Sequence, residues 1–189
     1  MTAGLEFHPV TPDRWDDLVA LFGENGAHAG CWCMFNRLRA AEFQENQGDA
    51  NREALHAIID SGNVPGILAY DGDEPVGWCA VAPRSEYGRI QRSPVLKPVD
   101  DIPAWSINCF FVRRNRRNEG IASALLDAAV AYARSHGAPA VEGYPVIPRK
   151  DNVPPMYLWQ GLDQMFAAAG FDVIARRKPA RPIYRLDLQ

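Results

Sequence analysis

At 189 residues, 47% of them apolar and with a formal net charge of −3, the chain is long enough to bury a core and reads as a globular protein of one domain. An acidic balance argues against a general nucleic-acid binder, whose affinity rests on an excess of Lys and Arg facing phosphates. The first residues, Met1-Thr2-Ala3-Gly4-Leu5-Glu6, lack the basic start and apolar stretch of a signal peptide, and no apolar run reaches membrane-spanning length, so the expectation is a cytoplasmic protein with no membrane partner. The four cysteines, Cys31, Cys33, Cys79 and Cys109, are too few and too irregular for a disulfide framework and are expected as thiols.

Leu5 to Val10 reads as an opening strand. Thr11-Pro12-Asp13 then offers an N-cap with proline at the first helical position, ahead of a helix whose apolar residues are Trp15, Leu18, Val19 and Phe22. Cys31 to Gly48 is expected to hold one or two short helices, and Asp49 to Ile59 another, with Leu55, Ile58 and Ile59 on one side. Two short apolar runs, Ile67 to Tyr70 and Val76 to Val81, flank the polar turn 71–75 and predict a hairpin. Pro83 to Pro98 is polar and irregular, a surface loop.

Trp105 to Val112 is an apolar extended run, and Gly120 to His136 a helix with Ile121, Leu125, Ala128, Ala129 and Tyr132 at core-facing spacing. Ala140 to Val146 predicts a further strand, Pro148 to Pro155 a loop, and Leu162 to Ala169 a short helix closed by Gly170-Phe171. Two strands, Phe171 to Arg176 and Pro182 to Leu188, end the pattern.

The junction between the run at 105–112 and the helix at 120–136 carries the chemistry. A helix N-terminus has roughly half a positive charge and up to four free N–H donors, so it takes a phosphate when no side chain obstructs approach. Gly120 removes the obstruction, Ala122 is nearly as small, Asn118 is a candidate N-cap, and Arg113, Arg114, Arg116 and Arg117 crowd the point. A local basic cluster on an acidic protein suits a small polyanion better than a polymer. Other phosphate motifs are missing: there is no G-x-x-x-x-G-K-[ST], and no G-x-G-x-x-G follows a strand.

The segment Val112-Arg113-Arg114-Asn115-Arg116-Arg117-Asn118-Glu119-Gly120-Ile121-Ala122 resembles the strand, loop and helix start of the GNAT acyltransferase superfamily, whose hallmark is [QR]-x-x-G-x-[GA] after an apolar strand. Met165-Phe166-Ala167-Ala168-Ala169-Gly170-Phe171 is similar to that family's late helix ending in Gly-Phe. The resemblance implies an α/β (α+β) fold: one N-acetyltransferase domain over 1–189, with a mixed, mostly antiparallel twisted sheet flanked by helices and splayed at its central strands. The acetyl-CoA-binding core would span about 105–136.

The resemblance further implies that the main chain of Arg117, Asn118, Glu119, Gly120, Ile121 and Ala122 holds the pyrophosphate of acetyl-CoA. Phe110 and Val112, with Phe111 between them, would run beside the pantetheine arm. Glu119 is out of place next to phosphate, so its side chain is expected in solvent. CoA carries about four negative charges, and a neighbouring arginine would meet the phosphate that the loop leaves uncovered.

The family's base is a carboxylate or histidine near the start of the central strand, where this chain has Ser106 and Asn108; its acid is a tyrosine where this chain has Phe166. Glu142 is therefore the candidate base, acting through water, with Tyr144 on the same face at i+2 as acid. Ser106, Asn108 and Trp32 are assigned to the acceptor pocket, Trp32 as a stacking surface. His28, Cys31 and Cys33 also admit a metal site or a cysteine nucleophile; no metal is expected, because three candidates fall short of a four-ligand structural site.

The expected activity is acetyl transfer from acetyl-CoA to a primary amine of a small molecule or peptide. A non-catalytic acyl-CoA-binding module and a cysteine-dependent hydrolase stand as alternatives. The loops 28–48 and 83–103 carry no motif that names the acceptor, and the exposed strands at the sheet's end make a homodimer an expectation.

Overall fold

The computed structural model describes residues 4–148, 153–154 and 157–188. Met1 to Ala3, and most of the loop expected at Pro148 to Pro155, lie outside the described residues. Seven strands form one open sheet: β1 (Leu5–Pro9), β2 (Gly66–Asp71), β3 (Glu74–Pro83), β4 (Trp105–Val112), β5 (Ala140–Gly143), β6 (Asp172–Lys178) and β7 (Arg181–Asp187). Their spatial order is β1-β2-β3-β4-β5-β7-β6, with β1 and β6 at the edges. Every pairing is antiparallel except β4 with β5.

Six helices complete the described chain: α1 (Trp15–Phe22), α2 (Ala40–Glu45), α3 (Asp49–Asp60), α4 (Gly88–Arg92), α5 (Ile121–Ser135) and α6 (Asp163–Ala168). The stretch read as a loop at Pro83 to Pro98 thus contains α4, preceded by a 3-10 turn at Arg84–Glu86. Within Cys31 to Gly48 only α2 is helical, and the rest is turns. The strand expected from Ala140 to Val146 ends at Gly143, with Val146 returning as an isolated parallel bridge to Leu162.

Strand alternation builds a core on each face of the sheet. Ile67, Ala69, Cys79, Val81, Ile107 and Phe110 pack under α5, which presents Ile121, Leu125, Leu126, Ala129, Val130 and Ala133. The buried stripe of α5 is therefore turned from the expected one: Leu126, Val130 and Ala133 are inside, while Ala128 and Tyr132 are only half-buried. Gly77 lets the helix approach closely, since a Cβ there would lie 2.9 Å from both Ile121 and Leu125. On the opposite face Leu68, Tyr70, Trp78 and Ala80 meet Leu18, Leu21, Phe22, Leu55 and Ile59 of α1 and α3.

Two features of β4 set the geometry that follows. Its pairing with β3 skips Asn108, because Ala80 faces Cys109 while Val81 faces Ile107, which makes Asn108 the extra residue of a β-bulge. Its pairing with β5 stops after three residues, Trp105 to Ile107. From Asn108 to Val112 the strands part, and the edge of β4 faces a gap instead of a neighbour.

Candidate active site

At the end of that open edge β4 leads through a 3-10 turn (Arg114–Arg116) into α5. The N-cap of α5 is Gly120, not Asn118; Gly120 sits in the left-handed region (φ 82) and no side chain caps the helix. Asn118 is also left-handed (φ 66), so the connection turns back sharply and leaves the first turn of α5 bare. Ala124 is the first residue of the helix to close its bond, onto the Gly120 carbonyl at 3.1 Å.

The four arginines divide into two pairs. Arg116 bridges Asp71 (2.9 Å) and Glu119 (2.9 Å), and Arg113 binds the Pro75 carbonyl (2.7 Å) and Glu74 (3.3 Å), so both pin the junction to the β2–β3 turn. Arg114 is exposed and pairs with no described carboxylate, while Arg117 makes only a 3.3 Å bond to the Val112 carbonyl. Glu119 does not stand free in solvent as expected, for Arg116 holds it.

Along the gap, alternation sends the N–H and C=O of Phe110 and Val112 away from β3. The Phe110 N–H is not open: it donates to the Trp159 carbonyl at 2.6 Å. A strap of chain at 157–161 thus occupies, through Trp159, the backbone of Phe110 that the family resemblance sets beside the pantetheine arm.

Beside this strap lies a cavity of about 320 Å³. Phe35 and Trp159 form one wall with rings 5.3 Å apart, and Arg89, Lys178 and Arg181 bring positive charge to it. Asn36, Ile90, Ser93, Val95, Leu96 and Gln160 complete the lining. Asn36 also ties the cavity to the β4 bulge, donating from Nδ2 to Asn108 Oδ1 at 3.1 Å. The lining comes from four separated segments, and none carried a motif; the only available signal was the polar, arginine-bearing character of the chain around 83–103.

Of the residues assigned to the acceptor pocket, none lines this cavity. Ser106 is buried and hydrogen-bonded to the Tyr144 hydroxyl (2.9 Å), and Asn108, two residues on, is buried too, its Oδ1 accepting from Asn36. Trp32 is a core residue, 4% exposed, packed against Trp15 and Phe22 with Arg52 over its ring at 5.5 Å. Its burial follows from backbone: Trp32 and Cys33 both take left-handed φ (43 and 51), which folds the turn inward. Trp32→Ala should therefore cost about 3–5 kcal/mol of stability, read by urea denaturation, while leaving the KM for the acceptor unchanged in the folded fraction.

The proposed base and acid do meet, but inside the protein. Glu142 is 1% exposed; its Oε1 accepts from Arg84 (2.8 Å) and Arg185 (2.7 Å), and its Oε2 from the Tyr144 hydroxyl (3.0 Å). Arg185 continues to Asp100 through two bonds of 2.7 and 2.9 Å. Burial pushes the Tyr144 phenol well above its ordinary value. A carboxylate whose lone pairs are taken by two guanidinium groups, out of reach of solvent and of the cavity, is placed to hold strands together and not to relay protons. Phe166, where a tyrosine was looked for, is fully buried against Phe110 and Phe171, seated over Gly143, where a Cβ would stand 2.0 Å from its ring.

Cys31, Cys33 and Cys79 are poor nucleophiles. Burial pushes the Cys31 thiol up to about 12; a hydrogen bond with Cys109 (3.5 Å), together with burial, pushes Cys33 well up, and burial does the same for Cys79. At neutral pH a thiol so shifted holds almost no thiolate, which removes the physical basis for a hydrolase acting through Cys31 or Cys33. Iodoacetamide at pH 7.5 is expected to leave whatever activity the protein has intact; rapid inactivation would reinstate a nucleophilic cysteine. Among the described residues no group of three His, Cys, Asp or Glu is placed to hold a metal ion, and no described helix is long and apolar enough to cross a membrane.

An open mixed sheet whose fourth and fifth strands part beside an uncapped helix is a fold that this chain shares with solved acetyltransferase structures. An acetyltransferase of the GNAT family from Listeria monocytogenes 4b F2365 matches with a TM-score of 0.60 at 11% identity, over 97% of this chain and 95% of that one. The PaiA N-acetyltransferase of Thermoplasma acidophilum, in complex with coenzyme A, matches at 0.52 and 11% identity over 97% and 98%. YncA of Salmonella typhimurium, with its cofactor acetyl-CoA, matches at 0.54 and 11% identity over 98% and 95%. No curated protein shows significant similarity to the chain. The model of the Acetyltransferase (GNAT) family matches residues 32–149, and the chain belongs to that family.

Proposed function

We propose that this chain is an N-acetyltransferase that moves the acetyl group of acetyl-CoA to a primary amine of a small molecule. The observation that carries the reading is the bare N-terminus of α5, set at the end of a β4 edge that has lost its neighbour. Two structural neighbours that hold CoA or acetyl-CoA support it.

The residues present fit such a ligand. The main chain of Arg117 to Ala122 would take the pyrophosphate, since no cap competes for the N–H groups and Gly120 has no Cβ to shield them. Arg114 and Arg117 have no carboxylate partner among the described residues and would meet the remaining phosphate; Arg113 and Arg116 are already engaged. Bound there, acetyl-CoA supplies an activated acetyl thioester. For its arm to lie along Phe110, the Trp159 carbonyl has to release the Phe110 N–H, so the strap at 157–161 and the arm compete for one donor.

Among the described residues no carboxylate or histidine lines the cavity. The acceptor amine must then arrive neutral, and the positive charge of Arg89, Lys178 and Arg181 disfavours an ammonium beside it. Once neutral and aligned, an amine needs little further help against a thioester. The loss of both usual proton-transfer groups is also what favours the second reading, a non-catalytic acyl-CoA-binding module.

Calorimetry with CoA, followed by thiol release from acetyl-CoA over a panel of amines between pH 6 and 9, separates the two. Transfer that rises with pH as each amine loses its proton is expected. CoA binding without thiol release at any pH would favour the binding module, and absence of CoA binding would overturn both.

A further inference from the structure

The cavity beside the β4 bulge has a one-sided charge. Among the described residues three of its lining side chains are cationic, Arg89, Lys178 and Arg181, and none is acidic. No described carboxylate forms an ion pair with any of the three. Three other arginines with buried side chains are paired: Arg37 with Glu86, Arg84 with Glu142, Arg185 with Glu142 and Asp100.

Within the cavity the guanidinium of Arg89 instead lies over the Phe35 ring, 3.9 Å from its centre. Arg181 is the more telling residue: its Nε is buried with no hydrogen-bond partner among the described residues, and burial pulls the guanidinium below its ordinary value. A buried guanidinium N–H with nothing to donate to is costly unless an acceptor arrives.

Position gives the cations their meaning. Asn36 and Trp159 border the cavity and are bonded to Asn108 and to the Phe110 N–H, the two points at which β4 opens. A molecule in the cavity therefore lies beside the gap in the sheet, within the ring of charge set by Arg89, Lys178 and Arg181. The volume, about 320 Å³, suits a molecule of amino-acid size, and the Phe35–Trp159 wall offers its body an apolar surface.

We propose that the acceptor is a small primary amine that carries a carboxylate, its carboxylate bound by Arg181, Lys178 and Arg89 and its amine directed to the β4 gap. The proposal rests on the transferase reading for the fate of the amine, but the carboxylate site is independent of turnover. An acceptor anion also offsets the repulsion that the three cations would exert on a purely cationic amine, so diamines are poor ligands.

The test uses matched probes: a series of amino acids and ω-amino acids, each beside its C-terminal amide and its decarboxylated amine, titrated calorimetrically into the CoA-loaded protein. The carboxylate member should bind about tenfold more tightly than its amide, as expected for one or two charge-assisted hydrogen bonds. Lys178→Gln, an exposed change that leaves the core untouched, and Arg181→Gln should each reduce that preference while CoA affinity stays at the wild-type value. Equal binding of acid and amide, or binding of neither, overturns the proposal. Thiol release with the same probes keeps the two readings apart. Carboxylate-selective binding without turnover sinks the transferase and leaves the site, whereas turnover indifferent to the carboxylate sinks the site and leaves the transferase.

Discussion

Gly120→Glu should weaken CoA binding at least about a hundredfold, the combined effect of a lost cradle and a like charge set against the phosphates. Gly120 is the N-cap of α5 in the left-handed region, the point from which the bare N–H groups of the first turn project. A glutamate there adds a side chain in front of those donors and a negative charge where about half a positive one is wanted. The backbone cost of a non-glycine residue at that φ is only about 1–2 kcal/mol, so the variant should fold, which circular dichroism and thermal melting would check.

Gly120→Asn separates the two causes, because asparagine tolerates the left-handed region and brings no charge. Its loss of affinity should be clearly smaller. Wild-type CoA affinity in a folded Gly120→Glu protein would remove the anion site from the junction altogether. Arg114→Ala and Arg117→Ala should each weaken binding several-fold at low salt, whereas Arg116→Ala should chiefly loosen the junction, since Arg116 is held by Asp71 and Glu119.

This junction was legible in the sequence because its determinants are local: an apolar run, a glycine and a helical pattern follow one another within about thirty residues. The β2–β3 hairpin was legible for the same reason, its turn closing on Gly72-Asp73 between two apolar runs. Helix α4 was not, because five residues, Gly-Arg-Ile-Gln-Arg, are too short to show a helical period. Trp32 was misjudged because nothing in Cys-Trp-Cys announces two consecutive left-handed residues, a conformation that local sterics disfavour and only the surrounding packing sustains. The cavity was invisible as a unit. Phe35 and Asn36, Arg89 and Ile90, Trp159 and Gln160, and Lys178 and Arg181 meet only because α4, the strap and the β6–β7 turn converge over the same part of the sheet.

Glu142 shows the same limit with larger consequences. The sequence placed it on a strand with Tyr144 on the same face, and both points hold. What spacing could not show is that Arg84 and Arg185, 58 residues before it and 43 after, arrive from neighbouring elements to enclose the carboxylate. The structure thus turns a candidate catalytic group into a fastening between β5, β7 and the turn after β3.

Glu142→Gln is accordingly expected to damage stability and not chemistry. It leaves the Arg84 guanidinium, 8% exposed, without its charge partner and takes from Arg185, also 8% exposed, one of its two. Removing one member of a buried ion pair costs about 3–5 kcal/mol, which for a chain of this size lowers the melting temperature by roughly 10 °C. Tyr144→Phe, which deletes the hydroxyl bonded to both Ser106 and Glu142, should cost less, about 1–2 kcal/mol.

Below their own melting temperatures both variants should retain the wild-type pH–rate profile with any accepted amine. A flat or shifted profile in a Glu142→Gln protein that melts like the wild type would restore the carboxylate as a base. The outer end of the network adds a pH signature. The Arg185 guanidinium holds the Asp100 carboxyl below its ordinary value of 3.8, so this pair's contribution is complete above that value and is lost as the pH falls through the lower folded one. An Asp100→Asn protein, already lacking the pair, should therefore be less stable than wild type at pH 6, and the difference should shrink as both are acidified below pH 4. A constant difference across that range would mean that the pair contributes through packing alone.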